Sequence, residues 1–379
     1  MITNLLIFKN GSWQGLNQLK DTPESYQLLL VFGDRELLCL PDIIPQLSEV
    51  FIQAKIIAAS TAGEIYQNEA NQQSIVCIAI KFERTTFEIV EDNIKAYKDS
   101  YELGKQAAQK LSQKNLRYVM VISDGSIVNG DELIQGLNEV IDAAVEVTGA
   151  MAGDGARFEQ TVTGVNGNLS NGNLILLGLY GNHIQVSSGV KGGWSLFGPE
   201  RTITQSSENE LFEIDGENAL ALYKRYLGNF AEKLPASALF FPIAILKDGS
   251  EEFTVRTILN VNEEKGTMTF AGNVPQGSRI RLMRTNTDKV INFASSAAFE
   301  AVNKNGTQNP LALIFNCIGR RLVLDSRAHE EIEGISRNFT EATTIAGFYS
   351  YGEFSKRVSI GNNCELHNQT VVITVFNEY

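Results

Sequence analysis

At 379 residues the chain is longer than one hydrophobic core usually fills, so two domains are expected. Hydrophobic residues make up 43% and charged residues 20%, the balance of a globular protein. A net charge of −12 argues against nucleic acid and against anionic membrane surfaces, which both select clustered Lys and Arg.

The N-terminus has no basic segment and only a short apolar stretch, so it does not read as a signal peptide. No apolar run reaches membrane-spanning length. The cysteines, Cys39, Cys77, Cys317 and Cys364, are scattered, the first three in apolar surroundings. They read as reduced thiols of a cytoplasmic protein.

In chain order, residues 1–25 read as a strand and a turn, with Asn10-Gly11-Ser12 as the turn signal. Tyr26 to Phe32 reads as a buried strand. A helix follows from Pro41-Asp42, with Ile43, Ile44, Leu47, Val50, Phe51 and Ala54 at helical spacing. Ser74 to Phe82 is an almost unbroken apolar strand, a pattern that implies cover on both faces. A helix begins after Ser100, a strand spans Tyr118 to Ile122, and Asp131 to Val145 reads as the next helix. Asn173 to Tyr180 closes this region as a buried strand. Residues 181–205 are Gly-rich, and a helix from Glu217 ends at Leu227-Gly228. The stretch 236–285 reads as β hairpins, with strands at Ala238–Leu246, Thr267–Ala271 and Arg279–Met283. A helix from Val290 to Val302 leads to a last region that ends in the strand Thr370–Phe376.

One pattern occurs three times. Ala62-Gly63-Glu64, Ala152-Gly153-Asp154 and Tyr351-Gly352-Glu353 each set a carboxylate directly after a glycine. Each lies about thirty residues beyond an apolar run that ends in a glycine turn, with a helical pattern between them in the first two copies. A second apolar strand follows every time. The chain therefore reads as repeated strand–helix–strand units in a mixed α/β (α+β) fold of layered mixed sheets with helices outside. A first domain over residues 1–210 would hold two units; a second over 211–379 would hold the hairpins and the third.

These stretches match a known family. Ser60-Thr61-Ala62-Gly63-Glu64, Ala152-Gly153-Asp154-Gly155-Ala156-Arg157-Phe158, Gly193-Trp194 and Asp215-Gly216 resemble the FIST N-terminal domain. Phe315-Asn316-Cys317-Ile318-Gly319-Arg320, Gly347-Phe348-Tyr349-Ser350-Tyr351-Gly352-Glu353 and Glu365-Leu366-His367-Asn368-Gln369-Thr370 resemble its C-terminal partner. Ala59 stands where members often carry Cys, so thiol chemistry is unavailable there. The resemblance implies a non-catalytic, intracellular sensor of a small ligand, with amino acids the proposed class. It would signal through a separate protein such as a histidine kinase, since no kinase, receiver or DNA-binding segment is seen. Some relatives bind haem and sense nitric oxide.

The candidate ligand set is Gly153, Asp154, Arg157, Trp194, Cys317, Arg320, Phe348, Tyr351, Glu353, His367 and Asn368. Asp154 and Glu353 would pair an ammonium group, and Arg320 would clamp a carboxylate by two parallel hydrogen bonds. The competing reading makes each Gly-acid pair a tight turn, Arg320-Arg321 a solvated pair, Trp194 a packing plug and His367 a loop fastener. No cofactor is expected on the first reading. On the haem alternative His183, His329 or His367 would be the axial ligand. Cys364 and His367 have Cys-x-x-His spacing but lack a second pair for zinc. A hydrolase built on Ser350, with Glu353 and His367 following it, is the remaining alternative, although Gly347-x-x-Ser350-x-Gly352 is one residue too long for a nucleophile elbow.

Overall fold

Strands that are apolar at every position must be covered on both faces, and the chain meets that demand three times over. The computed structural model describes residues 1–246, 253–305, 310–356 and 363–379, without the side chains of 303–305. Its first unit runs β1 (Ile2–Lys9), β2 (Ser12–Gln14), β3 (Leu28–Gly33), α1 (Arg35–Leu38), α2 (Ile43–Val50) and β4 (Lys55–Ser60). A hairpin, β5 (Glu64–Tyr66) and β6 (Glu69–Asn71), then precedes β7 (Ile75–Lys81). The second unit is β8 (Thr86–Asn93), α3 (Ser100–Lys110), β9 (Leu116–Ser123), α4 (Gly130–Asn138), β10 (Glu146–Met151), β11 (Thr163–Val165) and β12 (Asn173–Tyr180).

The third unit opens with β13 (Ile184–Lys191) and is then interrupted. The insertion holds β14 (Ser195–Ser207), β15 (Glu210–Ile214), β16 (Glu217–Asn218), α5 (Ala219–Leu227) and β17 (Ile243–Leu246). It continues with β18 (Phe253–Arg256), β19 (Ile258–Asn262), β20 (Thr267–Phe270) and β21 (Arg279–Arg284), which complete an eight-stranded sheet. The unit resumes with α6 (Thr287–Asn305), β22 (Leu311–Cys317), α7 (Ile318–Leu324), α8 (Ala328–Ser336) and β23 (Thr344–Ser350). It ends with β24 (Gly352–Lys356), β25 (Cys364–His367) and β26 (Val371–Glu378).

Each unit builds the same sheet. The strands flanking the central helices pair in parallel: β3 with β4, β9 with β10, β22 with β23. The closing strand lies antiparallel on the far side of the first (β7, β12 and β26), and the opening strand borders it (β1, β8 and β13). The remaining neighbour comes from a different unit. The second unit's β11 borders β4 of the first, the third unit's β24 borders β10 of the second, and the first unit's β5 borders β23 of the third. The three sheets thus exchange strands in a closed ring.

Strand alternation divides the apolar residues between two cores. One face of every sheet turns inward, where Leu30, Phe32, Ile122, Phe315 and Phe348 belong to one shared cluster. Phe32 and Phe315 both pack on Phe348, at ring-centroid distances of 4.7 and 5.5 Å. The other faces take helices: α2 with Leu29 and Val31, α3 and α4 with Val119 and Val121, α6 and α8 with Ala312 and Ile314.

Several expected elements change form. The helix expected over Asp131–Val145 stops at Asn138, and Asp142 instead caps a turn through the Ala144 N–H at 2.7 Å. Ala238–Leu246 is a 3₁₀ turn (Ala236–Phe240) followed by β17, since Pro242 brings no N–H to a ladder. The Gly-rich 181–205 region forms β13 and much of β14, and the third unit carries helices that the helical pattern there did not announce. The expected boundary at residue 210 falls at the start of β15, inside the fourth sheet. Among the described residues no helix is long and apolar enough to cross a membrane.

Candidate functional site

A chain that leaves one sheet for the next must turn at the strand end, and the three turns meet. Gly153 N–H donates to Ser60 O and Gly155 N–H to Thr61 O, each at 3.0 Å. Ala62 N–H donates to Tyr349 O and Tyr349 N–H to Gly63 O, each at 2.7 Å, and Tyr351 N–H reaches Met151 O at 3.3 Å. A Cβ on Gly153 would lie 2.8 Å from the Ala62 nitrogen, so close backbone approach demands glycine there. The repeated Gly-acid stretches are therefore the crossover points of the strand exchange.

Their carboxylates are buried and serve the protein itself. Glu64 accepts from Thr61 Oγ1 at 2.5 Å and from Ser74 Oγ at 2.6 Å. Glu353 repeats the arrangement with Ser350 Oγ at 2.7 Å and Thr370 Oγ1 at 2.8 Å. Burial pushes Glu64 up to about 7 and Glu353 to about 8, against the opposing pull of those hydroxyl donors. Asp154 accepts from Tyr351 Oη, from Phe158 N–H at 3.0 Å and from Gln160 N–H at 3.1 Å. Arg35 and Arg157 approach it at 3.6 and 3.7 Å. Burial, with Asp154 next in weight, holds the Tyr351 phenol above its ordinary range.

The geometry takes both expected ammonium partners out of a ligand's reach, because neither Asp154 nor Glu353 is exposed. The expected Arg320 clamp is also occupied. Its fully buried guanidinium donates to Glu331 Oε1 from Nε at 2.9 Å and Nη2 at 2.6 Å, to Val290 O at 2.9 Å, and to Gly192 O. Arg321, half-buried, donates to Ala62 O at 3.0 Å and Asn71 O at 3.2 Å. Trp194 lies in a cluster with Ala244, Met283 and Val290, Phe348 is core, and Cys317 is buried with its thiol held protonated by desolvation. His367 Nε2 faces Ser355 O at 3.1 Å and Asn368 donates to His367 O at 3.1 Å, both residues buried. Ser350 is buried and its hydroxyl donates a hydrogen bond to Glu353, which leaves the hydrolase alternative without an accessible nucleophile.

Beside this junction lies a cleft of about 340 Å³. One wall is the turn between β9 and α4, with Ser126, Ile127 and Asn129, joined by Phe158 and Tyr351. Phe158 stacks on Tyr351 with centroids 4.6 Å apart and planes 20° from parallel, and is 44% exposed. The facing wall belongs to the inserted sheet: Glu208 and Asn209 before β15, Leu259 in β19, and Gly272 and Asn273 after β20. Asn129 Oδ1 caps α4 through Asp131 and Glu132 N–H at 3.1 and 3.2 Å, while its Nδ2 donates to Asn273 Oδ1 at 3.1 Å. Asp131 takes Arg256 Nη2 at 2.7 and 2.8 Å and Asn273 N–H at 2.7 Å, so the helix start is tied to the inserted sheet.

Of the sequence-chosen residues only Tyr351 lines this cleft, with the Gly153–Arg157 loop carrying Phe158 to its edge. Gly125, just past the end of β9, lines one wall, at a strand tip of the kind where α/β sheets place ligands. Glu208, Asn209 and Asn273 come from turns, and Leu259 from β19, that nothing in the sequence joins to it. For haem the donor set does not fit: His183 and His329 are exposed, His367 is buried against Ser355, and none lines the cleft. No group of three His, Cys, Asp or Glu suited to a metal ion occurs among the described residues.

A FIST N domain model matches residues 27–217, and a FIST C domain model matches residues 219–356. No curated protein sequence matches the chain. Among solved structures, a chorismatase superposes with a TM-score of 0.36 at 12% identity, over 99% of this chain and 98% of its own. A cyanuric acid hydrolase from A. caulinodans gives 0.39 at 7% identity, over 100% and 99%. TM-scores this low do not establish a shared fold.

Proposed function

The chain belongs to the FIST family of sensory, ligand-binding signalling domains, and on that premise we propose that its small-molecule ligand seats in the cleft between the second unit and the inserted sheet. The observation that carries this reading is the composition of the two walls. Ser126, Asn129 and Phe158 on one wall and Glu208 and Asn209 on the other belong to the FIST N half, whereas Leu259, Asn273 and Tyr351 belong to the FIST C half. A ligand touching both walls biases how the halves meet, and a sensor needs such a differential contact. The volume suits a small molecule, with a flat apolar wall for area and a few amide groups for orientation. The signal then passes to a separate partner protein. The role is binding, without chemistry on the ligand.

The test is a thermal-shift screen of the full chain over amino acids, amines and small acids, followed by calorimetry on any hit. A ligand at a hundred times its Kd adds about 2.7 kcal/mol of stability, enough to raise the melting temperature measurably. Phe158→Ala and Asn273→Ala should each abolish most of that rise. A screen with no hit, or a hit untouched by both substitutions, removes the cleft from consideration.

A further inference from the structure

Resting on that assignment of the cleft, we propose that its ligand is a monocation with a flat apolar face, an arylalkylamine, and that free carboxylates are refused. Among the described residues lining the cleft, Glu208 bears the only formal charge, and no lysine, arginine or histidine joins it. The cations behind the walls are spent. Arg256, nearly buried, is committed to Asp131, and Arg157, outside the lining, is drawn to Asp34, Glu36 and Asp154.

The start of α4 offers an anion nothing either. Asn129 already occupies the Asp131 and Glu132 N–H groups, and those two residues place carboxylates in the first turn. Burial raises Glu132 above its ordinary value, and the charges of Asp99 and Glu208 push in the same direction, as expected where the local field is already negative.

What the cleft does offer suits an ammonium carried on a ring. Phe158 presents an exposed aromatic face backed by Tyr351, a surface that attracts both flat rings and cations. Asn209 spends its Nδ2 on Phe270 O at 2.9 Å, which leaves Oδ1 as an acceptor for an N–H group. Glu208 supplies the countercharge. An α-amino acid would bring its own carboxylate into this field with no guanidinium or ammonium to meet it, and an unpaired charge in a partly desolvated site is costly. The amino-acid expectation thus narrows to the corresponding amines.

The test titrates the full chain calorimetrically with 2-phenylethylamine, tryptamine, L-phenylalanine, 3-phenylpropionate and neutral 2-phenylethanol. An amine should bind at least about tenfold tighter than phenylalanine, and phenylpropionate should give no heat. Glu208→Gln should weaken the amine about fivefold and leave the neutral alcohol unchanged, whereas Phe158→Ala should weaken both. If phenylalanine or phenylpropionate matches the amine, and that binding is lost in Phe158→Ala, the charge preference is overturned while the cleft stands. If nothing binds, or binding is indifferent to Phe158→Ala, the cleft itself is the error and the preference falls with it.

Discussion

Glu64 and Glu353 occupy matching positions in two units, each closing a hydroxyl–carboxylate–hydroxyl triad just where the chain crosses between sheets. Neither carboxylate has an arginine within salt-bridge distance among the described residues, so burial dominates and raises both. A carboxyl that holds its proton more tightly folded than unfolded favours the fold at low pH, and that advantage disappears as pH rises through the folded value. Stability should therefore decline from the ordinary carboxylate value of 4.5 up to about 8, with Glu353 setting the upper end. Glu353→Gln keeps the shape and removes the titration. Melting temperatures recorded from about pH 5 to about pH 9 should fall for the native chain and fall less for the variant, in which Glu64 still titrates. Parallel curves for the two proteins would refute this account of the triad. The same residues show what sequence could reveal at this scale. A glycine before an acid was legible as a recurring structural device, but whether the acid met a ligand or its own neighbours depended on Ser74 and Thr370, which lie just before the later strands β7 and β26.

At the scale of elements, the third unit replaces a ligand clamp with a buried ion pair. Arg320 on α7 and Glu331 on α8 are both fully buried, and Asn316 at the end of β22 donates to the other Glu331 oxygen at 2.8 Å. The guanidinium also holds carbonyls of Gly192, before β14, and Val290 on α6. One side chain thus fixes where the insertion leaves and rejoins the unit. Arg320 lies in the first turn of α7, just past the end of β22. The sequence did not show its partner, because Glu331 lies on α8, a helix that was not among the predicted elements. Removing one member leaves the other charged and dry, which typically costs about 3–5 kcal/mol. Glu331→Ala should lower the unfolding free energy from urea titration by that order, whereas the paired replacement Arg320→Met with Glu331→Leu should recover most of the loss. A Glu331→Ala variant as stable as the parent would show that the pair is not holding these helices.

For the whole molecule, the governing feature is the closed exchange of crossover strands. Local periodicity made the strands and most of the helices legible, since burial on both faces leaves a near-continuous apolar run. Which sheet each short strand after a Gly-acid turn would join was not legible, because β5, β11 and β24 pair with strands distant in sequence and carry little pattern of their own. The consequence is a chain of two sequence domains that complete each other's sheets. A fragment of residues 1–217 would lack β24 and β25, uncovering the edge of β10 and part of the cover over α4, where Leu366 packs with Leu133 and Leu137. It would also strand β5 and β6 without β23, and expose inner faces that now meet Phe315 and Phe348. Open apolar edges of that kind invite aggregation. Produced separately, fragments 1–217 and 218–379 should therefore fail to give sharp near-UV circular dichroism or a cooperative melt. Produced together, they should assemble one to one and melt in a single transition, since the pairing that joins them is the pairing that builds the sheets. A 1–217 fragment that melts cooperatively by itself, at the temperature of the full chain, would mean that the exchanged strands decorate finished sheets instead of completing them.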